Sequence, residues 1–205
     1  MSRQFLNVVA VLFSSLVVLT GPLKCMAQNK NEPESPVAAE LKQIYEADQG
    51  DRVGPNAIFG KKDKWAEMRS RDEERRVRVH QLLAEEKVKS ADDYYHAAMI
   101  LQHGTGPQDF LLAHILAGAA AQLGLKKAKW LAAASLDRYL QDVGQPQVFG
   151  TQYLSSHEDG SWTQEPFSAA LLTDSLRQVY DVPLLAETRQ RLKEYQSQES
   201  KLEKK

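Results

Sequence analysis

Apolar residues recur about every 3.6 positions along most of the chain, which predicts a succession of amphipathic helices. Ser90 and Asp93 have the spacing of a capping box, and Gly104 and Gly124 follow apolar stretches as helix-ending glycines do. The pattern favours an all-α fold organised as a single domain. The helices are predicted at residues 37–49, 62–89, 90–103, 107–123, 126–144, 167–180 and 184–198.

The three central helices are separated by very short turns, so they are expected to pack as antiparallel helical hairpins. The second and third of them are rich in alanine, which lets neighbouring backbones approach closely. Residues 95–140 resemble a tetratricopeptide unit of the short Sel type, in these alanine rows and in the glycine after each helix. After Gly144 the helical period stops, and the alternation over residues 147–153 predicts a short extended segment.

The charge of the chain narrows the classes of partner. The 205 residues carry 26 basic and 27 acidic side chains, a formal net charge of −1. Binding to nucleic acid requires a clear basic excess, so no nucleic-acid partner is expected. Charges are densest over residues 62–89, where acid–base pairs four residues apart are typical of a solvated helix face. These pairs are Glu67–Arg71, Asp72–Arg76 and Glu74–Arg78.

The first residues predict export. Arg3 precedes an apolar stretch at residues 5–19, which Gly21-Pro22 interrupts before a small residue, Ala27, offers a cleavage site. The stretch has 15 residues, fewer than the roughly 20 of a membrane-spanning helix, so no permanent membrane span is expected. Cys25 follows a lysine rather than a small residue, which argues against a lipoprotein. The mature protein is expected to be periplasmic or secreted.

The chain divides into a signal peptide (1–27), a polar, disordered lead-in (28–36), the helical domain (37–198) and a charged tail (199–205). Cleavage after Ala27 leaves no cysteine, which excludes a disulfide and thiol catalysis in the mature chain. The sequence has no His-Glu-x-x-His, no Gly-x-Ser-x-Gly and no phosphate-binding glycine loop. His96 and His103 are too far apart on one helix to share a metal ion, so neither a metal site nor a cofactor is expected.

Asp137 and Arg138 are the charged residues that most need an explanation. Asp137 shares a helix stripe with Trp130 in a segment that is apolar nearly all round, so it is expected to be at least partly buried. Adjacent helical residues point about 100° apart, so the two cannot satisfy each other. They are interpreted either as a structural ion pair or loop tether, or as part of a charged ligand site.

A combination of short motifs resembles an uncharacterised bacterial family, a domain of unknown function. The motifs are Asp48-Gln49-x-x-Arg52, Gln102-His103, Asp137-Arg138 and Gln147-Val148-Phe149-Gly150-Thr151-Gln152. The match covers residues 41–153 and departs from the family at His103-Gly104, where members often have His-Ala-Asp. The resemblance implies a shared architecture and no activity. It also implies a set of ligand-binding candidates: Asp48, Gln49, Arg52, His103, Asp137, Arg138, Gln147, Thr151 and Gln152.

Three hypotheses follow for this polar set. In the first, the domain is a binding module for a small polar ligand or a peptide or protein partner, in which Arg138 pairs with a carboxylate or phosphate. In the second, it is a cell-envelope hydrolase in which His103 is the general base and Asp137 is its orienter or a second acid–base group. This requires the two side chains within hydrogen-bond reach of each other or of one bridging water. In the third, the polar set is structural: His103 bonds helix-end carbonyls, and Gln147, Thr151 and Gln152 lock a loop.

Overall fold

The computed structural model describes residues 35–54, 57–155 and 161–202, with the last five of these as backbone only. The predicted signal peptide and most of the predicted lead-in lie outside the described residues. Within the described part, seven α-helices and a two-stranded antiparallel sheet confirm the all-α single domain. The elements are α1 (Pro36–Arg52), a 3-10 turn (Lys62–Lys64), α2 (Trp65–Ala84), α3 (Ala91–Leu101), α4 (Pro107–Gln122), α5 (Ala128–Asp142), β1 (Leu154–Ser155), β2 (Trp162–Thr163), α6 (Asp174–Val179) and α7 (Leu185–Leu202).

Two helix starts show how short-range chemistry fixes an element. The Ser90 hydroxyl accepts a hydrogen bond from the Asp93 amide, and the Asp93 carboxylate accepts one from the Ser90 amide, which confirms the predicted capping box of α3. At α1 the Ser35 hydroxyl accepts from the Ala38 amide at 3.1 Å, with Pro36 in the first turn. This cap begins α1 one residue before the predicted boundary and inside the predicted lead-in.

The core lies where α3, α4 and α5 pack on one another, with α1 and α2 against α3. Helices α3 to α5 follow one another through short connections and pack in sequence, so each is antiparallel to the next. Small side chains occupy the contact, and larger ones from α1 and α2 close it on one side. The fully buried members include Leu41, Val79, Leu82, Ala97, Ala98, Leu101, Ala113 and Ala117.

Two predicted elements differ from the structure. The helix predicted at 167–180 is only the six-residue α6, because the chain around Phe167 pairs instead with Gln147. The Gln147 amide donates to the Pro166 carbonyl at 3.0 Å, and the Ser168 amide donates to the Gln147 carbonyl at 2.9 Å. Residues 147–153 are therefore an irregular loop with one bridge, and the regular strand β1 begins only after them.

The C-terminal third covers α5 through a second apolar cluster, in which Ala133, Phe149 and Val182 are buried together. Helix α7 continues to Leu202, so the predicted charged tail begins inside a helix. The prediction that Asp137 is at least partly buried is confirmed, because the residue is 0 % exposed, whereas Trp130 on the same stripe is 44 % exposed. Among the described residues, no helix has the length and hydropathy needed to cross a membrane.

Candidate functional site

The nine ligand-binding candidates form two groups that meet at Gln152. Asp137, Gln147 and Thr151 lie on or under the loop of residues 147–152, which we call the 147–152 loop. Gln49 contacts Asp48, and Gln152 contacts Arg138. The other four belong to a set of side chains from α1, α2, the end of α3 and α5, which we call the charged cluster. Its members are Asp48, Asp51, Arg52, Arg71, Asp72, Arg75, His103 and Arg138.

Asp137 holds the 147–152 loop against α5. Its Oδ1 accepts hydrogen bonds from the amides of Val148 at 2.7 Å and Phe149 at 2.9 Å. Its Oδ2 accepts from the Thr151 amide at 2.9 Å and the Thr151 hydroxyl at 2.8 Å. Four donors satisfy a fully buried carboxylate that has no cationic partner within 4 Å among the described residues. Asp137 is therefore a loop tether, one of the two interpretations of the sequence.

The 147–152 loop is also held by hydrogen bonds between its own residues and by contacts with Phe167 and Arg177. The Gln147 side-chain amide donates to the Gln152 carbonyl at 3.0 Å, and its oxygen accepts from the Gln152 amide at 3.1 Å. Gly150 has φ +70, and a Cβ there would lie 2.7 Å from the Phe167 ring, so only glycine fits without movement. Arg177, on α6, donates to the Phe149 carbonyl at 2.6 Å. These contacts fix where the loop presents the Gln152 side chain.

An ion-pair network joins α1 to α2. Arg52 donates to Asp48 at 2.7 Å on its own helix and to Asp72 at 2.9 Å on α2. Asp51 on α1 accepts hydrogen bonds from two arginines of α2, Arg71 at 2.6 Å and Arg75. The charged stretch of α2 is thus not only a solvated face. Of its predicted four-residue pairs, Glu67–Arg71 forms, whereas Asp72 and the arginines at 76 and 78 find partners elsewhere.

Burial raises the pKa of the Asp51 carboxyl, but the hydrogen bonds and charges of Arg75 and Arg71 outweigh burial and hold that pKa below its usual value. Asp51 therefore stays ionised at neutral pH and matches the charge of its partners. Four members of the charged cluster, Asp51, Arg71, Asp72 and Arg75, are not among the ligand-binding candidates that the sequence indicated. The signal that was available is that Asp48, Asp51 and Arg52 share one side of α1 with Leu41.

His103 contacts Asp48 rather than Asp137. Its Nδ1 lies 3.1 Å from Asp48 Oδ1, and Gln49 donates to the other oxygen of the same carboxylate at 2.8 Å. Because the acceptor positions of Asp137 are filled by the 147–152 loop, the predicted His103–Asp137 pair is wrong in its partner. The side chain of His103 is 16 % exposed and that of Asp48 only 1 %, so the imidazole lies between the buried Asp48 carboxylate and solvent.

Arg138 is the cation of the charged cluster that has no carboxylate. It donates from Nη1 to the Gln102 carbonyl at 2.7 Å and from Nε to the Gln152 side-chain oxygen at 3.3 Å. In the part of the chain that the structure describes, no acidic oxygen lies within 4 Å of its guanidinium. Burial, and next the charge of Arg52, lower the pKa of Arg138. Arg138 is thus a cation that is partly desolvated and repelled by Arg52 rather than paired with a carboxylate.

The remaining histidines and the surface do not extend this site. His114 donates from Nδ1 to the Ala132 carbonyl at 2.8 Å, a structural contact. Within the described ranges, no three His, Cys, Asp or Glu side chains are arranged to hold a metal ion. A shallow groove of about 620 Å³ runs along α7, lined by Pro183, Ala186, Glu187, Gln190, Arg191 and Glu194, none of which belongs to the charged cluster.

Comparison with known proteins gives no relative to reason from. No family model matches the chain, and neither curated proteins nor solved structures contain a significant match. The resemblance to a bacterial domain of unknown function therefore stays a prediction. The chemistry of the charged cluster has to be argued from its own geometry.

Proposed function

We propose that this protein is an exported helical binding module, tetratricopeptide-like in part, that binds a small anionic ligand or the anionic end of a peptide at the charged cluster. The observation that carries the proposal is the unpaired Arg138. Export is supported by the N-terminal pattern, and the tetratricopeptide-like character by consecutive alanine-rich helical hairpins. A ligand carboxylate or phosphate is what the cluster lacks.

The pairing of charges within the cluster supports an anionic ligand. Arg52, Arg71 and Arg75 each have at least one carboxylate within 4 Å, supplied by Asp48, Asp51 and Asp72 and, for Arg71, also by Glu67. Arg138 is the cation of the cluster that has no carboxylate within 4 Å among the described residues. Taking a guanidinium out of water without a counter-charge costs several kcal/mol, a cost that bound anions offset. Arg138 makes only one short hydrogen bond within the protein, at 2.7 Å, which favours a ligand as the reason for its charge.

The cluster is accessible as well as charged. The side chain of Arg52 is 13 % exposed and that of His103 16 %, and Arg138 is only partly buried. These side chains converge at the C-terminal end of α3, because Arg138 binds the Gln102 carbonyl and His103 follows it directly. An ion can therefore approach from solvent and meet a protein-supported set of donors.

A second candidate function, a cell-envelope hydrolase, is favoured by one observation. A His–Asp pair is present, although it joins His103 to Asp48 and not to Asp137. A buried carboxylate on Nδ1 orients an imidazole for general-base catalysis at Nε2. Hydrolysis of bacterial cell-wall fragments or activated esters that is lost in His103→Gln supports this candidate, and no turnover by the wild type eliminates it.

The proposed binding function is tested by thermal unfolding and titration calorimetry with acetate and inorganic phosphate, at constant ionic strength in chloride. We expect at least one of the two anions to raise the melting temperature of the wild type. Arg138→Met keeps the apolar stem but removes the charge, so the shift should disappear. Arg78→Met is the matched control, because Arg78 pairs with Glu40 outside the cluster. No anion-specific shift, or an equal shift in Arg138→Met, overturns the proposal.

A further inference from the structure

The hydrogen-bond partner of His103 determines what the imidazole offers to a ligand. The Asp48 carboxylate accepts hydrogen bonds from Arg52 at 2.7 Å and Gln49 at 2.8 Å, and a carboxylate has no hydrogen to donate. The His103 Nδ1 that faces it at 3.1 Å must therefore carry the hydrogen. In a neutral imidazole the other nitrogen, Nε2, then has no hydrogen and is an acceptor. No described residue donates to Nε2 of His103.

Arg138 and His103 thus have complementary requirements. The Nη2 group of Arg138 is a donor without a partner among the described residues and carries the unmatched positive charge. The Nε2 atom of His103 is an acceptor without a partner. Both side chains converge on the end of α3, where the Gln102 carbonyl positions Arg138 at 2.7 Å. A ligand that satisfies both has a negative acceptor and, close to it, a hydrogen-bond donor.

We infer that the ligand of the charged cluster is a carboxylate with a hydrogen-bond donor on the adjacent carbon, in which the carboxylate binds Arg138 and the donor binds His103 Nε2. A 2-hydroxy acid has this arrangement, with its hydroxyl as donor. The C-terminal residue of a peptide has it too, with its backbone N–H as donor. The inference rests on the proposed anion-binding function and narrows it to one ligand chemistry.

A carboxylate fits this cluster better than phosphate does. One cation is unmatched, and one negative charge neutralises it. A phosphate dianion would bring a second negative charge towards the Asp48 carboxylate, whose charge repels it, although three cationic or potentially cationic side chains lie within 4 Å of Asp48. The planar guanidinium also matches a planar carboxylate, with Nη2 free to make the contact.

Titration calorimetry with five sodium salts at matched ionic strength tests the inference on the purified protein. Acetate offers only the carboxylate, glycolate adds a hydroxyl donor, and methoxyacetate keeps that oxygen but blocks its hydrogen. N-acetylglycine imitates a peptide end, and phosphate is the competing anion. We expect glycolate or N-acetylglycine to bind about 3- to 10-fold more tightly than methoxyacetate, the effect of one neutral hydrogen bond. Glycolate alone indicates a hydroxy acid, and N-acetylglycine alone a peptide end.

His103→Phe removes the acceptor while keeping a ring of similar shape, so the preference for the donor-bearing acids over methoxyacetate should fall to about 1-fold. His103→Leu is a second variant for the same measurement if the phenylalanine variant does not fold. His80→Phe is the matched control, since His80 is exposed on α2 and pairs with Asp109 outside the cluster. It should retain the wild-type preference. Arg138→Met should weaken every carboxylate roughly tenfold or more, the loss of a charged hydrogen bond.

The outcomes separate this inference from the function on which it rests. If phosphate binds more tightly than any carboxylate, or methoxyacetate binds as tightly as glycolate and N-acetylglycine, the ligand chemistry is wrong although an anion site exists. A preference that survives in both His103 variants likewise overturns the role of Nε2. If no salt binds to the wild type, the proposed function itself fails.

Discussion

Replacing Arg138 by methionine and, separately, Arg177 by methionine compares two arginines that both lack a carboxylate within 4 Å among the described residues. Arg177 is 0 % exposed and donates to the Pro183 carbonyl at 2.9 Å, the Phe149 carbonyl at 2.6 Å and the Thr188 hydroxyl at 3.1 Å. Arg138 makes one short contact, to Gln102, and one long contact of 3.3 Å. The two should therefore respond in different ways.

The contacts set the expected magnitudes. Arg177→Met leaves the buried Phe149 carbonyl and the partly buried Pro183 carbonyl without this donor, at about 1–3 kcal/mol each, partly offset by removal of a buried charge. We expect a net loss of about 2–4 kcal/mol, or roughly 4–16 °C in melting temperature for a domain of this size. Arg138→Met loses one good hydrogen bond but also the desolvation cost and the repulsion from Arg52. The expected change is within about 1 kcal/mol of zero, in either direction.

Urea unfolding followed by circular dichroism, without added ligand, measures both variants against the wild type. Equal slopes in denaturant are required, because a changed slope means that the unfolding reaction itself has changed. If Arg138→Met is destabilised as strongly as Arg177→Met, Arg138 is a structural residue. The unmatched charge of Arg138 then does not mark a ligand site, and the binding function has to be sought elsewhere on the surface.

Three further predictions test the loop and the ion pairs. Asp137→Asn should lose about 2–4 kcal/mol in urea unfolding, because an amide cannot accept from all four donors; a loss below about 1 kcal/mol contradicts the tether. The pKa of Asp51 is lowered in the folded state, so the stabilisation from its ion pairs is complete above the unfolded pKa of about 3.9 and is lost as the pH falls from there through the folded pKa. Asp51→Asn should therefore reduce the loss of unfolding free energy at acidic pH. An unchanged loss at acidic pH contradicts this. Gly150→Ala should cost more than Gly144→Ala in the same assay, because both have φ near +70 but only the first meets a ring, and equal losses contradict the close approach.

The sequence predicted what depends on neighbours in the chain. The capping box of Ser90 and Asp93 and the three central helices are local in origin, and they formed as expected. The helix predicted at 167–180 forms only in its second half, because Phe167 pairs with Gln147, which lies twenty residues earlier in the chain. The side-chain partners were harder still. Asp72 and Arg76 have an ideal helical spacing, yet each found a partner on another helix.

The dependence on residues from other helices also explains why the sequence could not separate the structural from the functional residues of the site. The sequence drew attention to Asp137 and Arg138 together, and it left open whether they were structural or functional. They are adjacent on α5 and point about 100° apart, so each serves a different surface. Asp137 is satisfied by four donors of the 147–152 loop, whereas Arg138 faces a cluster in which every other cation has a carboxylate. Whether Arg138 has a carboxylate partner depends on residues from α1, α2 and α3. The sequence pattern around Arg138 on α5 does not include those residues, so it could not predict the pairing.

The two surfaces are nevertheless coupled through Gln152. Asp137 fixes the 147–152 loop, and the loop presents the Gln152 side chain, whose oxygen accepts from Arg138 at 3.3 Å and whose amide donates to the Ala134 carbonyl at 3.2 Å. Arg138 is thereby held between Gln152 and the Gln102 carbonyl, and Nη2 remains available to a ligand. A fixed guanidinium loses less side-chain entropy on binding than a mobile one. Under the proposed function, the tether at Asp137 contributes to affinity without touching the ligand, because it orders the one cation of the charged cluster that has no carboxylate partner among the described residues.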